Sequence, residues 1–136
     1  MRINPYLYFD GRCAEAFALY ARVFGGTPTL LPSDAQPASA DDAAPAPERI
    51  LHAHLEARGQ TLMGSDVPPG VALPPDPHAF VSVDVDSDAE AERIFAALAD
   101  GAEIRAPIAE SFFAHRFGML VDRFGTGWMV LHAKAC

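Results

Sequence analysis

The sequence predicts an α+β chain in which one strand–helix–three-strand plan occurs twice. Three observations carry this reading. Short segments of period-two alternation stand beside two segments of helical spacing. Both halves follow the same element order. Residues at element ends also recur at constant offsets. Asp10 and Asp86, like Gly25 and Gly101, lie 76 residues apart, while Gly59-x-x-Leu62-Met63 and Gly125-x-x-Trp128-Met129 match at 66. A repeat of this size indicates a duplicated module rather than a solenoid.

In the first half, Ile3, Pro5, Leu7 and Phe9 alternate with Asn4, Tyr6 and Tyr8, which predicts a strand. Asp10 is placed to cap the following helix. Ala14, Phe17, Ala18, Ala21 and Phe24 form its apolar stripe, and Gly25-Gly26 supplies a left-handed C-cap. Residues 27–31 read as a short strand. Residues 49–57 and 60–66 read as a hairpin turning at Arg58-Gly59. In the second half, Val81, Val83 and Val85 alternate with Phe80, Ser82 and Asp84. Ser87 with Glu90 makes a capping box, Ala91, Ile94, Phe95 and Leu98 make the helical stripe, and Gly101 ends the helix. Strands follow at 103–108, 113–122 and 126–133, with Trp128 packed in the sheet core.

Nine of the twelve prolines fall in two segments. Residues 32–47 contain only Pro, Ser, Asp, Ala and Gln, have nothing to bury, and are expected to form a mobile loop reaching residue 48. Residues 67–79 are stiffer, carry Val71 and Leu73, and read as a linker lying on the body of the domain. The expected organisation is one domain, with modules at 1–66 and 80–136.

Composition excludes several partners. With 10 Lys+Arg against 18 Asp+Glu the net charge is −8, the wrong sign for nucleic acid or anionic lipid. No apolar run approaches the roughly 18 residues needed to cross a membrane. Met1-Arg2-Ile3-Asn4-Pro5 runs directly into a strand pattern without a signal-peptide core. Cys13 and Cys136 make no disulfide framework, which leads to the expectation of a cytoplasmic protein. No Gly-rich strand-to-helix turn of the nucleotide-binding kind is present.

Each module is expected to bury one sheet face under its helix, with Ile3, Leu7 and Phe9 or Val81, Val83 and Val85 beneath it. The opposite face then carries Asn4, Tyr6, Tyr8, Phe80, Ser82 and Asp84. Strand alternation adds His52 with His54, and Met63 with Ser65. A polar and aromatic face on a curved sheet suits a cavity lining.

Several stretches resemble the PhnB-like branch of the vicinal oxygen chelate superfamily, which includes glyoxalase I, bleomycin resistance proteins and extradiol dioxygenases. They are Asn4-Pro5-Tyr6-Leu7-Tyr8-Phe9-Asp10-Gly11, Ala14-Glu15-Ala16-Phe17 with Tyr20, His52-Ala53-x-Leu55, and Leu62-Met63-x-Ser65-Asp66. The most specific is Phe117-Gly118-Met119-Leu120-Val121-Asp122-Arg123-Phe124-Gly125 with Trp128. The resemblance implies paired βαβββ modules forming a curved, open sheet around a cavity, and a homodimer. It also places the four metal positions of the metal-dependent relatives at Asn4, Met63, Phe80 and Met129. None of these four suits a hard or borderline cation.

The expected function is therefore binding of a small, partly apolar molecule, without a metal cofactor, by Asn4, Tyr6, Tyr8, His52, Met63, Phe80, Ser82, Asp84, Arg116 and Met129. Tyr6 and Tyr8 either orient a ligand or fill the sheet junction. Asp84 is the lone carboxylate on the face, a base or a backbone acceptor. Arg116 either holds an anionic ligand group or pairs with Glu110 or Asp122. The alternative is a metal-dependent lyase or dioxygenase using His52, His54 and a carboxylate, with Asp84, Asp66 or His115 as third ligand. A third reading is a carrier that sequesters its ligand without turnover.

Overall fold

The computed structural model describes residues 1–32 and 49–135. Within it, β1 (Tyr6–Phe9), α1 (Cys13–Phe24), β2 (Thr29–Pro32), β3 (Ile50–Ala57) and β4 (Gln60–Asp66) form the first module. The second consists of β5 (Val81–Asp84), α2 (Asp88–Ala99), β6 (Glu103–Ala109), β7 (Ala114–Val121) and β8 (Gly127–Ala133). Each builds a four-stranded mixed sheet, in the orders β1-β4-β3-β2 and β5-β8-β7-β6. The chain divides into two units, Met1–Leu73 and Pro74–Cys136, at a point inside the proline-rich 67–79 segment. The loop expected at 32–48 lies outside the described residues, except that Pro32 is the last residue of β2.

Strand pairing reproduces the sequence repeat. Tyr6 lies opposite Met63 and Ser82 opposite Met129, each in the parallel pair that closes its module. These partners are related by the offsets of 76 and 66 read from the sequence. The β3–β4 hairpin turns where expected, through Arg58 at φ 51° and Gly59 at φ 77°. Two successive positive φ values give a turn whose twist matches the flanking strands.

In the first unit the core is a cluster of rings. Phe9 from β1 meets Phe17 and Tyr20 of α1 at 6.2 and 6.5 Å, and Phe17 meets Tyr20 at 5.7 Å. All three are fully buried, with Cys13, Ala16 and Ala53. The helical stripe differs from the expected one. Ala14 and Ala18 face solvent, while Leu19, Tyr20 and Val23 are buried. The helix is rotated to bury its larger side chains, because buried area, not apolar identity, drives packing. Ile3 does not face the helix either: it precedes β1 and is 88% exposed.

The start of α1 is also capped otherwise than expected. Arg12 occupies the N-cap without a side-chain cap bond, and Gly11 at φ 85° turns the chain away from Asp10. Asp10 instead accepts from Arg49 at 3.0 Å. The helix N-terminus is held by Asp66, at the end of β4. One carboxylate oxygen accepts from the Cys13 amide at 3.0 Å and the other from the Ile50 amide at 2.8 Å. Burial, reinforced by the Asp66 charge, pushes the Cys13 thiol up to about 12, so Cys13 is a packing residue and not a nucleophile. At the other end, Gly25 takes φ 95° and ψ −178°, a glycine-only conformation rather than the left-handed helical one expected.

In the second unit the expected stripe of Ala91, Ile94, Phe95 and Leu98 is the buried face of α2. Ser87 caps the helix by accepting from the Glu90 amide at 3.1 Å. Phe95 lies on Gly118 of β7, where an added Cβ would sit 2.6 Å from the ring. Gly64 of β4 lies likewise under Phe17, with 3.0 Å to the ring. Glycine inside these strands lets helix and sheet approach closely. Trp128 is 1% exposed and donates from its indole N–H to Asp122 at 2.9 Å. Asp122 also accepts from the Phe124 and Thr126 amides and so closes the β7–β8 loop. In the proline-rich segment Val67 is 8% and Val71 48% exposed, and Asp76 accepts from Arg105 at 2.8 Å.

The joint held by Asp66 has a counterpart. The offset of 66 carries Asp66 to His132, whose Nδ1 lies 2.9 Å from Asp88 in the first turn of α2. Both modules tie the end of their last strand to the start of their helix, one by a buried carboxylate and one by a part-buried hydrogen bond.

Three outcomes follow. Asp66→Ala orphans two buried amides and is expected to lower the unfolding free energy in urea by about 2–4 kcal/mol. Gly118→Ala, forced against Phe95 and the Ile108 backbone, is expected to cost about 1–3 kcal/mol in the same assay. The hydrogen bond from His132 holds the Asp88 carboxyl below the usual range against a smaller opposing effect of burial, and the charge of Arg116 acts with it. A depressed carboxylate stabilises the fold above its unfolded pKa and loses that contribution as pH falls through its folded one. Asp88→Asn should therefore flatten the acid limb of the stability–pH profile and leave its alkaline limb unchanged.

Candidate functional site

In the first unit α1 covers one face of the sheet and leaves the other open. Strand alternation brings Tyr6 and Tyr8 of β1, His52 and His54 of β3 and Met63 of β4 to that open face. Register places Met63 between Tyr6 on one side and His54 on the other. Leu31 and Thr29 of β2 lie opposite His52 and His54. A register shift between Leu31 and Pro32 returns Ile50 to the buried side, where its amide meets Asp66.

The polar centre of this face is one contact. The Tyr6 hydroxyl lies 3.1 Å from His52 Nδ1, and the two rings stack at 29° with centroids 5.7 Å apart. Tyr8 continues the row, 5.3 Å from Tyr6 and tilted by 54°. Tyr6 is 38% and Tyr8 59% exposed, so both rings line the open surface rather than fill the core. The row offers flat apolar area with a hydrogen-bonding group at its middle.

Asn4 stands apart from this row. It precedes β1 and lines an open, polar cavity of about 560 Å³ with Arg2, Ile3 and the hairpin residues Glu56 to Thr61. In the second unit Ser82 lies opposite Met129, and Met129 opposite Met119, a methionine outside the expected binding set. Ser82 donates to Asp84 at 3.1 Å. Phe80 rests against Gly127, where a Cβ would come within 2.9 Å of its ring.

Arg116 is placed differently from the expectation. Its ion pairs are with Glu92 at 2.9 Å and Asp88 at 3.6 Å, both on α2, while the charge of the expected partner Glu110 acts on it more weakly. The hydrogen bond to Glu92 raises its guanidinium further above the ordinary range. The reason is strand alternation. Arg116 shares the parity of Gly118 and Leu120, which face the helix, so its side chain reaches α2 rather than the open face. His115, at a register shift in β7, turns its ring to 4.7 Å from His132. This cluster of Asp88, Glu92, His115, Arg116 and His132 was not foreseen. The offset that equates Asp66 with His132 was its one signal in the sequence.

The proposed third ligands for a His52/His54 metal clip are spread apart. Asp66 is committed to two amides beside α1, the His115 ring lies tilted against His132, and Asp84 accepts from Ser82. Among the described residues no three of His, Cys, Asp and Glu gather at metal-binding spacing. Nor do Asn4, Met63, Phe80 and Met129 make a donor set for a hard divalent cation. Among the described residues no helix is long and apolar enough to cross a membrane.

Comparison with known proteins gives the family and the fold. A family model described as 3-demethylubiquinone-9 3-methyltransferase matches residues 1–131. Protein YjdN of Escherichia coli strain K12 is 32% identical over 139 residues, which cover 96% of this chain and 94% of that one. The crystal structure of protein PA1353 from Pseudomonas aeruginosa is 40% identical, with a TM-score of 0.88 over 99% of each chain. The fold is also that of a putative 3-demethylubiquinone-9 3-methyltransferase, PhnB protein, from Bacillus cereus, at 23% identity and TM-score 0.75 over 98% of this chain and 100% of that one. A glyoxylase/bleomycin resistance protein/dioxygenase domain from Frankia sp. EAN1pec shares it at 12% identity and TM-score 0.63, over 98% and 95% of the two chains. With its duplicated βαβββ plan and a family match over nearly its whole length, the chain belongs to the PhnB-like family of the glyoxalase/bleomycin-resistance fold.

Proposed function

We propose that this protein binds a small, partly apolar molecule against the open face of its first sheet, without a divalent metal at the superfamily positions. The observation that carries the proposal is the row Tyr8–Tyr6–His52, an aromatic surface with a hydrogen-bonded centre on a face its helix leaves open. Met63 adds a polarisable, adaptable neighbour beside Tyr6. The donor chemistry of Asn4, Met63, Phe80 and Met129 supports the metal-free part of the reading. A homodimer and a cytoplasmic setting belong to the same proposal, on the strength of the family resemblance and the cysteine usage.

Methyl transfer, which the family description names, gains no support from the fold. A Gly-rich strand-to-helix turn of the dinucleotide-binding kind works within a doubly wound parallel sheet. Here both sheets are mixed, and the helix N-termini are taken up by Asp66 and by Ser87.

Amide chemical-shift mapping with a library of aromatic fragments tests the proposal. Perturbations are expected to cluster on residues 6–9, 52–54 and 61–65, and Tyr8→Ala should weaken the fragments found by about 3–10-fold, the worth of one ring contact. Perturbations scattered over the surface would overturn it. So would a stoichiometric divalent ion in tag-free protein that is lost on His54→Ala.

A further inference from the structure

The Tyr6–His52 contact takes its direction from the His52 tautomer. In the imidazole tautomer that carries its hydrogen on Nε2, Nδ1 accepts the Tyr6 O–H across 3.1 Å. The Tyr6 oxygen then keeps a lone pair on an exposed ring. A hydroxyl donating to that lone pair completes a chain from ligand oxygen to Tyr6 oxygen to His52 Nδ1. Passage of a proton along it breaks the ligand O–H bond and the original Tyr6 O–H bond. It forms a new Tyr6 O–H bond and a His52 N–H bond. The ligand becomes an oxyanion, the phenol is regenerated, and the charge lost by the ligand appears as an imidazolium.

We infer that Tyr6 and His52 form a proton-accepting subsite for an aromatic ligand that bears an acidic hydroxyl, a phenol or conjugated enol. The inference rests on the small-molecule reading above and adds the ligand's chemical class. The ligand must be flat because its platform is the row of rings formed by Tyr8, Tyr6 and His52. It must carry an acidic hydroxyl because imidazole exchanges protons near neutrality, and only such a group gives one up there. An oxyanion left beside the Tyr6 hydroxyl and the His52 cation is held by a charge-assisted hydrogen bond. The ionisable neighbours on this face are Tyr8 of β1 and His54 and Glu56 of β3. The residues facing the pair from β4 and β2, Met63, Thr29 and Leu31, carry no charge.

Two probes of similar shape separate the possibilities: 4-nitrophenol, which ionises near neutrality, and 4-nitroanisole, which has no hydroxyl. Equilibrium dialysis of the full chain should show 4-nitrophenol bound about tenfold more tightly than 4-nitroanisole. Visible absorbance should show its bound phenolate fraction enriched over the free probe, and the His52 ring protons should move to imidazolium shifts in the same titration. Tyr6→Phe and His52→Gln should each abolish the phenolate enrichment and the preference for 4-nitrophenol over 4-nitroanisole, with amide spectra confirming both folds. Equal affinity for the two probes, or enrichment that survives both substitutions, overturns the subsite while the small-molecule reading stands. Failure of both probes to bind overturns the two together.

Discussion

A β-strand that runs into a crossover helix has a weak joint. The first helical amides have no partner within the helix, and the strand beside them has run out of ladder. In the first module this joint is closed by the Asp66 carboxylate, which binds the first amide of α1 and the first amide of β3 at once. The helix α1 and both strands of the β3–β4 hairpin meet at one buried group. The ring cluster of Phe9, Phe17 and Tyr20 packs α1 onto β1 in the same module. The second module solves the same problem with His132 and Asp88 at the corresponding place, and adds Arg116 beside them. Duplication preserved the task and changed the chemistry.

The same packing leaves each sheet with a face its helix does not use. Gly64 and Gly118 let Phe17 and Phe95 sink toward the strands, so one layer of large side chains suffices on the helix side. The alternate positions are then released from core duty. In the first module those positions are Tyr6, Tyr8, His52, His54 and Met63, residue types that combine apolar area with hydrogen-bonding capacity or a soft sulfur. Function in this fold is thus written on the residues that the core does not require.

Much of this was legible in the sequence because it depends on periodicity. The hairpin turn at Arg58-Gly59, the α2 stripe and the repeat offsets all rest on local pattern, and the structure follows them. The α1 stripe was misplaced because alanine scores as apolar at every position of an alanine-rich helix. Two stripes share Phe17, and only the larger volumes of Leu19, Tyr20 and Val23 distinguish them. The Asp66 joint was hidden for another reason: its partners are 53 and 16 residues away in the chain, and no local rule reaches that far. The facing of Tyr6 and Tyr8 was readable from alternation. The hydrogen bond that makes Tyr6 and His52 a unit was not, because it depends on two strands separated in the sheet by β4.

The chain has a single tryptophan, Trp128, and it is sealed in the second module against Asp122. Its emission is therefore a private reporter of that half. The first module has no indole and signals only through its tyrosines, two of which stand on the open face. Optical records of this molecule come in two colours, one for each copy of the repeat. A melting curve followed at indole wavelengths reads the half that Trp128 occupies, while tyrosine absorbance at Tyr6 and Tyr8 follows the half in which the aromatic row lies. Where the two traces separate, the duplicated halves have lost cooperativity; where they coincide, the chain melts as one.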